Sequence, residues 1–396
     1  MVLGCGVQRE LPQPCALEPV ELTSLYTFSV AAPLATVDWY EFLARPRMPA
    51  AGVETLRALC DQRILVTGAA GSIGSALAIR LAAVGPRALV LLDSSESRLG
   101  ALQAKLRALD AETAGIFVLG DAGNEGLLEE LFAVHRPTVI FHAAAFKHVP
   151  ILEEQPLAAI ENNIFTTERL ASVARQSGSR VVLLSTDKAV EPASVMGATK
   201  RVAERIVLHI GGTALRLGNV LASSGSVAEV FAAQIAAGGP LTVTHPAARR
   251  YFLTLDEAVD LLIHAFGEPR GTSLLVPSLG TQHSIADLAA FMARTLAPEQ
   301  EIALEFRPAR PGDKASEKLF GCNERIEAIR ASGLQSVFTP PINAGALRRM
   351  LTQLRSALDA RDLQAGLATL QALVPDYAPS PTLQSLAEQS AERATL

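Results

Sequence analysis

Short apolar runs rich in β-branched residues alternate along the chain with segments of helical period. The runs occupy residues 64–67, 89–93, 116–121, 138–145, 180–184 and 215–220. Continuous apolar runs of this length are typical of strands buried on both faces of a parallel sheet. Because helical segments separate them, residues 63–220 predict an α/β fold of the Rossmann type with a doubly wound parallel sheet.

The rest of the chain predicts further units. Residues 1–60 are proline-rich at first and then aromatic, which predicts an N-terminal extension packed on the main domain. Residues 61–220 are predicted to form the Rossmann domain. Residues 221–320 predict a smaller mixed α/β region, after which the chain can return to the sheet. Residues 321–396 predict a helical C-terminal extension.

Composition narrows the class of protein. The 396 residues are 49% hydrophobic with a net charge of −5, values typical of a soluble globular protein. The chain has no surplus of basic residues that would indicate a nucleic-acid partner. It also has no run of eighteen apolar residues that would predict a membrane span. The four cysteines have no Cys-x-x-Cys spacing, which argues against a metal site and fits a reducing cytoplasm.

A glycine-rich turn follows the first predicted strand. Gly68, Gly71 and Gly74 have the spacing that lets backbone approach a pyrophosphate at the start of a helix. Ser72 and Ile73 lie between the last two glycines, where unpaired amides and the helix dipole attract negative charge. The turn therefore predicts a dinucleotide site, with the helix pattern beginning at residue 75.

Acidic residues end the next two strands. Asp93 lies nineteen residues past the glycine turn, where a carboxylate can accept from both ribose hydroxyls and would repel a 2′-phosphate. This favours NAD over NADP. Asp121, followed by Ala122, can reach the adenine or cap the next helix. The fourth strand ends in small residues, as needed where backbone passes close to a cofactor: Ala143, Ala144 and Ala145.

Polar residues of complementary chemistry follow the fifth strand. Thr186, Asp187 and Lys188 place a hydroxyl, a carboxylate and an ammonium at the carboxyl edge of the sheet, where open α/β folds carry their chemistry. Lys200 opens an amphipathic helix twelve residues later. The chain has only six lysines, so their presence here supports a functional site. An internal ion pair that caps the strand edge is the other interpretation of Asp187 and Lys188.

Further basic groups lie along the same edge and beyond it. Lys147 and His148 follow the fourth strand, and we assign His148 no catalytic role. Two later loops carry arginines, one with Arg250 and one with Arg310. Paired arginine loops suit a phosphorylated or nucleotide-linked substrate, and solvated surface arginines are the other interpretation.

Five segments together resemble one group of enzymes. They are HAAAFKHVP (142–150), STDKAV (185–190), VMGATKR (195–201), LGNVLASSGSV (217–227) and RYFLT (250–254). In combination with the glycine turn they resemble the nucleotide-sugar 4,6-dehydratases of capsule, flagellin and protein glycosylation pathways. These belong to the extended short-chain dehydrogenase/reductase superfamily. The resemblance implies bound NAD, UDP-N-acetylglucosamine as the usual substrate, and a homo-oligomer that is either a dimer or an assembly of dimers.

The resemblance also implies a reaction. Hydride passes from sugar C4 to NAD, and the resulting ketone acidifies the C5 proton. A base removes this proton, an acid helps the C6 hydroxyl leave as water, and hydride returns to C6, giving a UDP-2-acetamido-2,6-dideoxy-4-ketohexose. We assign Asp187 mainly as the acid and Lys188 mainly as the base. The reverse assignment stays open, because two groups this close titrate as a pair.

One position departs from the superfamily pattern. The usual Tyr-x-x-x-Lys is Met196-x-x-x-Lys200 here, and methionine cannot transfer a proton. Another group must then deprotonate the C4 hydroxyl, with Asp187 or Thr186 the nearest candidates. The resemblance implies that Lys200 binds the nicotinamide ribose and that Ser185 also contacts the cofactor. Methionine occurs at this position in part of the dehydratase family, so it does not exclude activity.

The matched motifs also imply a set of substrate contacts. The set comprises Lys147, Asn163, Asn219, Ser226, Arg250, Arg310 and Glu317. The last two lie in the loosest match. Two other functions stay open: a nucleotide-sugar epimerase or reductase, and a non-catalytic NAD-binding module. The Asp187–Lys188 pair argues against the epimerase, because 4-epimerisation needs no acid for a C6 hydroxyl.

Overall fold

The computed structural model describes residues 32–109, 115–269, 271 and 273–394. Its α-helices are α1 (Trp39–Leu43), α2 (Val53–Cys60), α3 (Ser72–Val84), α4 (Glu96–Ala108), α5 (Glu125–His135), α6 (Val149–Glu154), α7 (Pro156–Ile160), α8 (Thr166–Ser177), α9 (Val195–His209), α10 (Val227–Ala236), α11 (Leu255–Gly267), α12 (Ile285–Leu296), α13 (Ala344–Asp359), α14 (Leu363–Leu373) and α15 (Pro381–Ala394). A π-helical turn, Glu161–Phe165, joins α7 to α8.

The strands are short and evenly spread along the chain. They are β1 (Arg63–Thr67), β2 (Ala88–Asp93), β3 (Ile116–Leu119), β4 (Val139–His142), β5 (Arg180–Thr186), β6 (Thr213–Leu217), β7 (Asn219–Val220), β8 (Leu241–Val243), β9 (Arg249–Arg250), β10 (Phe252–Leu253), β11 (Ser273–Pro277), β12 (His283–Ser284), β13 (Leu304–Phe306), β14 (Arg325–Ile329) and β15 (Leu334–Phe338).

Within the described ranges, a nine-stranded sheet forms the centre of the fold, in the order β14-β15-β11-β6-β5-β4-β1-β2-β3. The strands from β11 to β3 are parallel, whereas β15 pairs antiparallel with β11 and β14 antiparallel with β15. The chain runs outward from β1 to β3 and then resumes at β4 on the other side of β1. This reversal is the topological switch point of a doubly wound sheet, and it confirms the predicted Rossmann-type fold.

Helices cover both faces of the sheet because successive strand residues point to opposite sides. Val66 packs with Leu77 and Leu262 beneath α3 and α11. Leu65, one residue earlier, packs with Leu170 and other apolar residues beneath the helices of the opposite face. Continuous apolar strands are thus explained by burial on both sides.

Three boundaries differ from the sequence prediction. Helix α3 begins at Ser72 instead of residue 75, because Gly71 takes the extended N-cap conformation and the helix tolerates Gly74. Lys200 lies in the second turn of α9, which begins at Val195 after the Ser194 N-cap. The helical extension predicted for residues 321–396 begins with the hairpin β14–β15. Its outer strand is mostly exposed and so lacks the apolar run that marks a buried strand.

The C-terminal helices form one apolar cluster with α6, α7 and α9. Leu354 of α13 and Leu370 of α14 are fully buried in it, together with Val195 and Met196. The apolar faces of the C-terminal helices are therefore buried in one cluster with α9, the helix that follows β5. None of the helices in the described ranges is long and apolar enough to cross a membrane.

Helices α10 and α12, with the paired strands β8 and β13, form a smaller region beside the sheet. Helices α10 and α12 share an apolar cluster with Phe42 of the N-terminal segment. The Phe42 ring packs edge-on against Phe252, with 5.8 Å between centroids. Arg45 donates to both carboxylate oxygens of Glu257, at 2.7 and 2.8 Å. The described part of the N-terminal extension is therefore docked on the body of the protein.

Candidate active site

The glycine turn lies at the carboxyl end of β1. Gly68 has φ +66°, and a Cβ there would come within 2.6 Å of the Ala144 amide nitrogen. A Cβ on Gly74 would overlap the Gly68 carbonyl oxygen. These two glycines are therefore required by the close approach of turn, helix and the segment after β4.

The chemistry of this turn fits a dinucleotide. The first intrahelical hydrogen bond of α3 runs from the Ser75 amide to the Gly71 carbonyl, so the amides of Ser72, Ile73 and Gly74 precede it. No side chain of the described residues caps the helix at Gly71. Amides without an intrahelical acceptor at the positive end of a thirteen-residue helix suit a pyrophosphate. The residues present thus fit NAD.

Asp93 ends β2 beside the turn. Its Oδ2 accepts from the Ala70 amide and its Oδ1 from the Ser95 amide, both at 2.9 Å. Each carboxylate oxygen can accept a second hydrogen bond, so a ribose contact stays a prediction. Asp121 is exposed and accepts from the Gly123 amide, and the side chain of Asn124, not that of Asp121, caps α5. Ala122 beside it is buried.

Asp187, Lys188 and Asn219 form a compact polar group beyond the end of β5. Asp187 is fully buried, and its Oδ1 accepts from Thr186 Oγ1 and from Lys188 Nζ, each at 3.0 Å. Lys188 Nζ also donates to Asn219 Oδ1 at 2.7 Å. Asp187 Oδ2 is buried and accepts no hydrogen bond from any described residue. Since an unpaired buried carboxylate oxygen is costly, this is the oxygen that a substrate hydroxyl would satisfy.

Helix α9 lies directly on this group. A Cβ on Gly197 would overlap the Lys188 carbonyl oxygen, so only glycine permits the approach. Met196, at the position of the usual tyrosine, is 4% exposed and packs in the cluster of the C-terminal helices. It therefore provides packing and no proton.

Lys200 is the buried cation of the site. It is 6% exposed, and its ammonium donates no hydrogen bond and forms no ion pair with another described residue. Burial lowers its pKa to about 8, while the negative charge of Glu204 acts in the opposite direction. A cation held without a partner is suited to a ligand, as the ribose prediction requires.

A hydrogen-bonded chain fixes the segment after β4. Asn163 is buried, with Oδ1 accepting from the Phe146 amide and Nδ2 donating to the Phe146 carbonyl and to Thr199. His142 binds Thr67 and Thr167 at 2.7 and 3.1 Å. Burial, and then the charge of Lys200, lower the His142 pKa to about 3, so the ring is neutral. The substrate contact predicted for Asn163 stays a prediction, and the structure shows it positioning backbone.

A loop after β7 crosses toward the glycine turn. Lys147 Nζ donates to the Ser224 carbonyl at 2.5 Å, and the Ser224 amide donates to Ser72 Oγ at 2.9 Å. Ser226 N-caps α10, and its hydroxyl is buried with no partner among the described residues. We call residues 221–226 the strap. Through Ser224 it links the predicted residues Lys147 and Ser72, and the predicted residue Ser226 ends it.

The predicted arginine loops behave differently from one another. Arg250 is 9% exposed and donates to the carbonyls of Arg249 and Ala315, with Nε 3.9 Å from Glu317. Glu317 is buried and lies 2.6 Å from Lys314 Nζ. Arg310 is half-exposed and pairs with Asp313 at 2.9 Å. Arg250 and Glu317 thus belong to one charged group, and Arg310 does not join it.

A buried network of ionic groups was missed by the sequence reasoning. Arg216 of β6 is fully buried between Glu204 and Glu324, and Arg201 contacts the same two carboxylates. Ser185, predicted to contact the cofactor, is nearly buried and donates to Glu204 at 2.6 Å. Arginine within the apolar run 215–220 is the signal that could have revealed it, because a buried charge needs partners.

The fold and the site together define a class. The chain combines a parallel sheet with a glycine turn after β1, an acidic residue at the end of β2 and a lysine on α9, the helix after β5. These features define the extended short-chain dehydrogenases/reductases. The family model described as "Polysaccharide biosynthesis protein" matches residues 64–337. The chain belongs to this family.

Curated relatives agree with this assignment. The chain is 40% identical over 270 residues to the probable polysaccharide biosynthesis protein EpsC of Bacillus subtilis, covering 66% of this chain and 45% of that protein. It is 39% identical over 278 residues to the capsular polysaccharide biosynthesis protein CapD of Staphylococcus aureus, covering 68% and 46%. The chain spans about half the length of these two relatives. It is also 32% identical over 284 residues to a UDP-glucose 4-epimerase of Rickettsia rickettsii, covering 68% and 80%.

Solved structures share the fold. Pen from Bacillus thuringiensis aligns with a TM-score of 0.62 and 28% identity, over 66% of this chain and 82% of that one. DesIV, a dTDP-glucose 4,6-dehydratase from Streptomyces venezuelae solved with NAD bound, aligns with a TM-score of 0.56 and 23% identity, over 65% and 88%. At that identity DesIV supports the fold alone.

Proposed function

We propose that this chain is an NAD-dependent nucleotide-sugar 4,6-dehydratase that converts UDP-N-acetylglucosamine for surface polysaccharide or glycan synthesis. The observation that carries the proposal is the Asp187–Lys188 pair with its unpaired carboxylate oxygen, placed beneath α9 at the carboxyl edge of the sheet. An elimination of water needs an acid and a base on neighbouring positions of one substrate, and this pair supplies both.

The proposed cofactor site uses residues from four segments. The amides of residues 72–74 hold the pyrophosphate, Asp93 binds the adenosine ribose, and Lys200 binds the nicotinamide ribose. The carboxylate of Asp93 favours NAD over NADP. When bound, NAD supplies the acceptor for hydride from sugar C4 and later the donor to C6. Because NAD is regenerated by the end of each turnover, it can stay bound to the chain.

Asp187 and Lys188 carry the protons in this proposal. Asp187 takes the proton of the C4 hydroxyl at its unpaired Oδ2 and then gives it to the departing C6 oxygen, which leaves as water. Asp187 ends ionised, as it began. Lys188, as the free amine, takes the C5 proton and returns one to C5 after hydride reaches C6.

The remaining polar groups are assigned to the nucleotide sugar. Asn219 holds Lys188 by a 2.7 Å hydrogen bond and can also face the sugar. Lys147 and Arg250 are cations suited to the diphosphate, and the hydroxyl of Ser226, on the strap, is buried with no partner among the described residues. Arg310 and Glu317 stay weaker assignments, because Arg310 is turned to solvent and Glu317 is occupied by Lys314.

The test is mass spectrometry of UDP-N-acetylglucosamine incubated with the purified chain in deuterated water. We expect loss of one water and one solvent deuteron at C5. Asp187→Asn should reduce water loss by roughly two to four orders of magnitude, because positioned proton transfer is worth about that much. Lys188→Met should reduce deuterium exchange at C5 by a similar factor. Asp359→Asn and Lys318→Met are exposed controls that should keep full activity.

The outcomes separate the candidate functions. An unchanged mass with a new C4 epimer on chromatography would support the epimerase, which the Rickettsia relative favours. Bound NAD with no conversion of any nucleotide sugar would support the non-catalytic module. Either result would remove the dehydratase proposal.

A further inference from the structure

Lys200 and Glu204 stand one helical turn apart on α9. Side chains at positions i and i+4 are neighbours on a helix surface, and a lysine and a glutamate at this spacing ordinarily form an ion pair. No such pair is present among the described residues, although both side chains are buried. Something must hold the carboxylate of Glu204 away from the ammonium.

The hydrogen bonds of Glu204 explain the separation. Its Oε1 accepts from Ser185 Oγ at 2.6 Å and from Arg216 Nε at 2.8 Å. Its Oε2 accepts from Arg216 Nη2 at 2.8 Å and from Arg201 Nη1 at 3.0 Å. Both oxygens are thus fully used, since a carboxylate has about four acceptor positions.

Arg216 is itself held on its far side. Within the described chain its five N–H donors are all engaged: two with Glu204, two with Glu324 and one with the Leu319 carbonyl. Arg201 lies 2.6 Å from Glu324 and completes a group of two arginines and two glutamates with no net charge. Replacing a buried ionic group by apolar residues is often neutral for stability, so stability alone does not account for it.

We propose that Arg216 is a positioning residue that binds Glu204 so that it cannot pair with Lys200, which leaves the Lys200 ammonium available to the cofactor. Glu324 holds Arg216 in the orientation that this requires. The role of Lys200 in binding the cofactor rests on the proposed function. The arrangement of Arg216 and Glu204 does not depend on it.

Among the described residues, few charged groups lie near Lys200. Glu204 and Arg201 lie on its own helix, and His142 of β4 is neutral because of its burial. Asp187 and Lys188 lie beneath the first turn of α9 and form a pair of opposite charges. The pKa of Lys200 should therefore respond mainly to a change at Glu204.

The experiment compares two charge-matched variants, Arg216→Met with Glu324→Gln, and Arg216→Met with Glu204→Gln. Each removes one positive and one negative charge, and each removes Arg216. They differ in which carboxylate remains: Glu204, one turn from Lys200 on α9, or Glu324, whose charge does not contribute to the Lys200 pKa shift. Lysine labelled with 13C at Cε gives at most six side-chain signals, and Lys200→Arg assigns the one of interest.

The titration of Lys200 is followed by NMR, and NAD affinity is measured at pH 6, where Lys200 is protonated. In Arg216→Met/Glu324→Gln we expect the Lys200 pKa to rise by about one unit and NAD to bind about tenfold more weakly, because a new ion pair withdraws the ammonium. In Arg216→Met/Glu204→Gln we expect the pKa to fall and NAD affinity to stay within about twofold of the parent.

A fall or no change of the Lys200 pKa in the first variant, or equal NAD affinities in the two variants, would overturn the proposal. If either double variant fails to fold, Ser185→Ala removes one donor to Glu204 without altering any charge, and it should raise the Lys200 pKa by a smaller amount. Failure of the parent to bind NAD would count against the proposed function, whereas the Lys200 titration would still test the positioning role.

Discussion

Gly225 of the strap lies directly against the imidazole of His148. It has φ +69°, and a Cβ at this position would overlap His148 Cε1. The strap is held there by the Lys147–Ser224 and Ser224–Ser72 hydrogen bonds, so one residue controls how closely it approaches the glycine turn. His148, to which no catalytic role is assigned, is therefore a support for the strap.

We predict that Gly225→Ala lifts the strap and weakens NAD binding by about tenfold, through loss of the two hydrogen bonds and backbone strain of about 1–2 kcal/mol. Adding His148→Ala removes the overlap and should recover part of the loss, while the strain from the positive φ remains. Isothermal titration with NAD measures both variants. Equal affinities of the single and double variants would show that the imidazole does not set the position of the strap.

Asn219 orients Lys188 through the 2.7 Å hydrogen bond to its ammonium. We predict that Asn219→Ala slows deuterium exchange at C5 by about tenfold to a hundredfold, since a hydrogen bond to a charged group contributes about 1.5–3 kcal/mol. The matched control is Asn343→Ala, which removes the N-cap of α13 far along the chain. That control should lose about 1 kcal/mol of unfolding free energy and keep its exchange rate.

Whether the structural role of a residue can be predicted from the sequence depends on the kind of residue. Gly68 and Gly74 are predictable because only glycine tolerates their geometry, and the apolar strands are predictable because both faces are buried. The network around Arg216 is not, because its partner Glu324 lies more than a hundred residues away and no local pattern joins them. Arg310 shows the converse: its residue type suits a phosphate, but its loop turns it to solvent.

Substitutions of Met196, which stands at the position of the usual tyrosine, distinguish a packing role of this position from a chemical one. We predict that Met196→Leu changes the unfolding free energy by less than about 1.5 kcal/mol and leaves turnover unchanged, because the volume is conserved. Met196→Tyr should lose about 1–3 kcal/mol, since a hydroxyl enters an apolar cluster, and should not increase turnover. Denaturant unfolding and initial rates check both. A tyrosine variant that is faster than the parent would show that Asp187 does not take the C4 hydroxyl proton.

His142 should make the fold sensitive to acid. Thr167 donates its hydroxyl proton to the Asn163 carbonyl, so His142 Nε2 must donate to Thr167 Oγ1, and Nδ1 accepts from Thr67 Oγ1. A second ring proton would leave two donors facing each other at Thr67. This geometry agrees with the lowering of the His142 pKa from 6.5 to about 3.

The sign of the effect follows from proton binding. Between pH 6.5 and about 3 the unfolded chain binds a proton at His142 that the folded chain does not, so stability falls as the pH falls through this window. We predict that His142→Gln, which cannot titrate, loses less unfolding free energy between pH 6.5 and 4 than the parent, by about 3 kcal/mol. The acidic groups Glu204 and Glu324 titrate in both proteins and cancel in the comparison. Parallel stability curves for parent and variant would mean that His142 takes up its proton in the folded state.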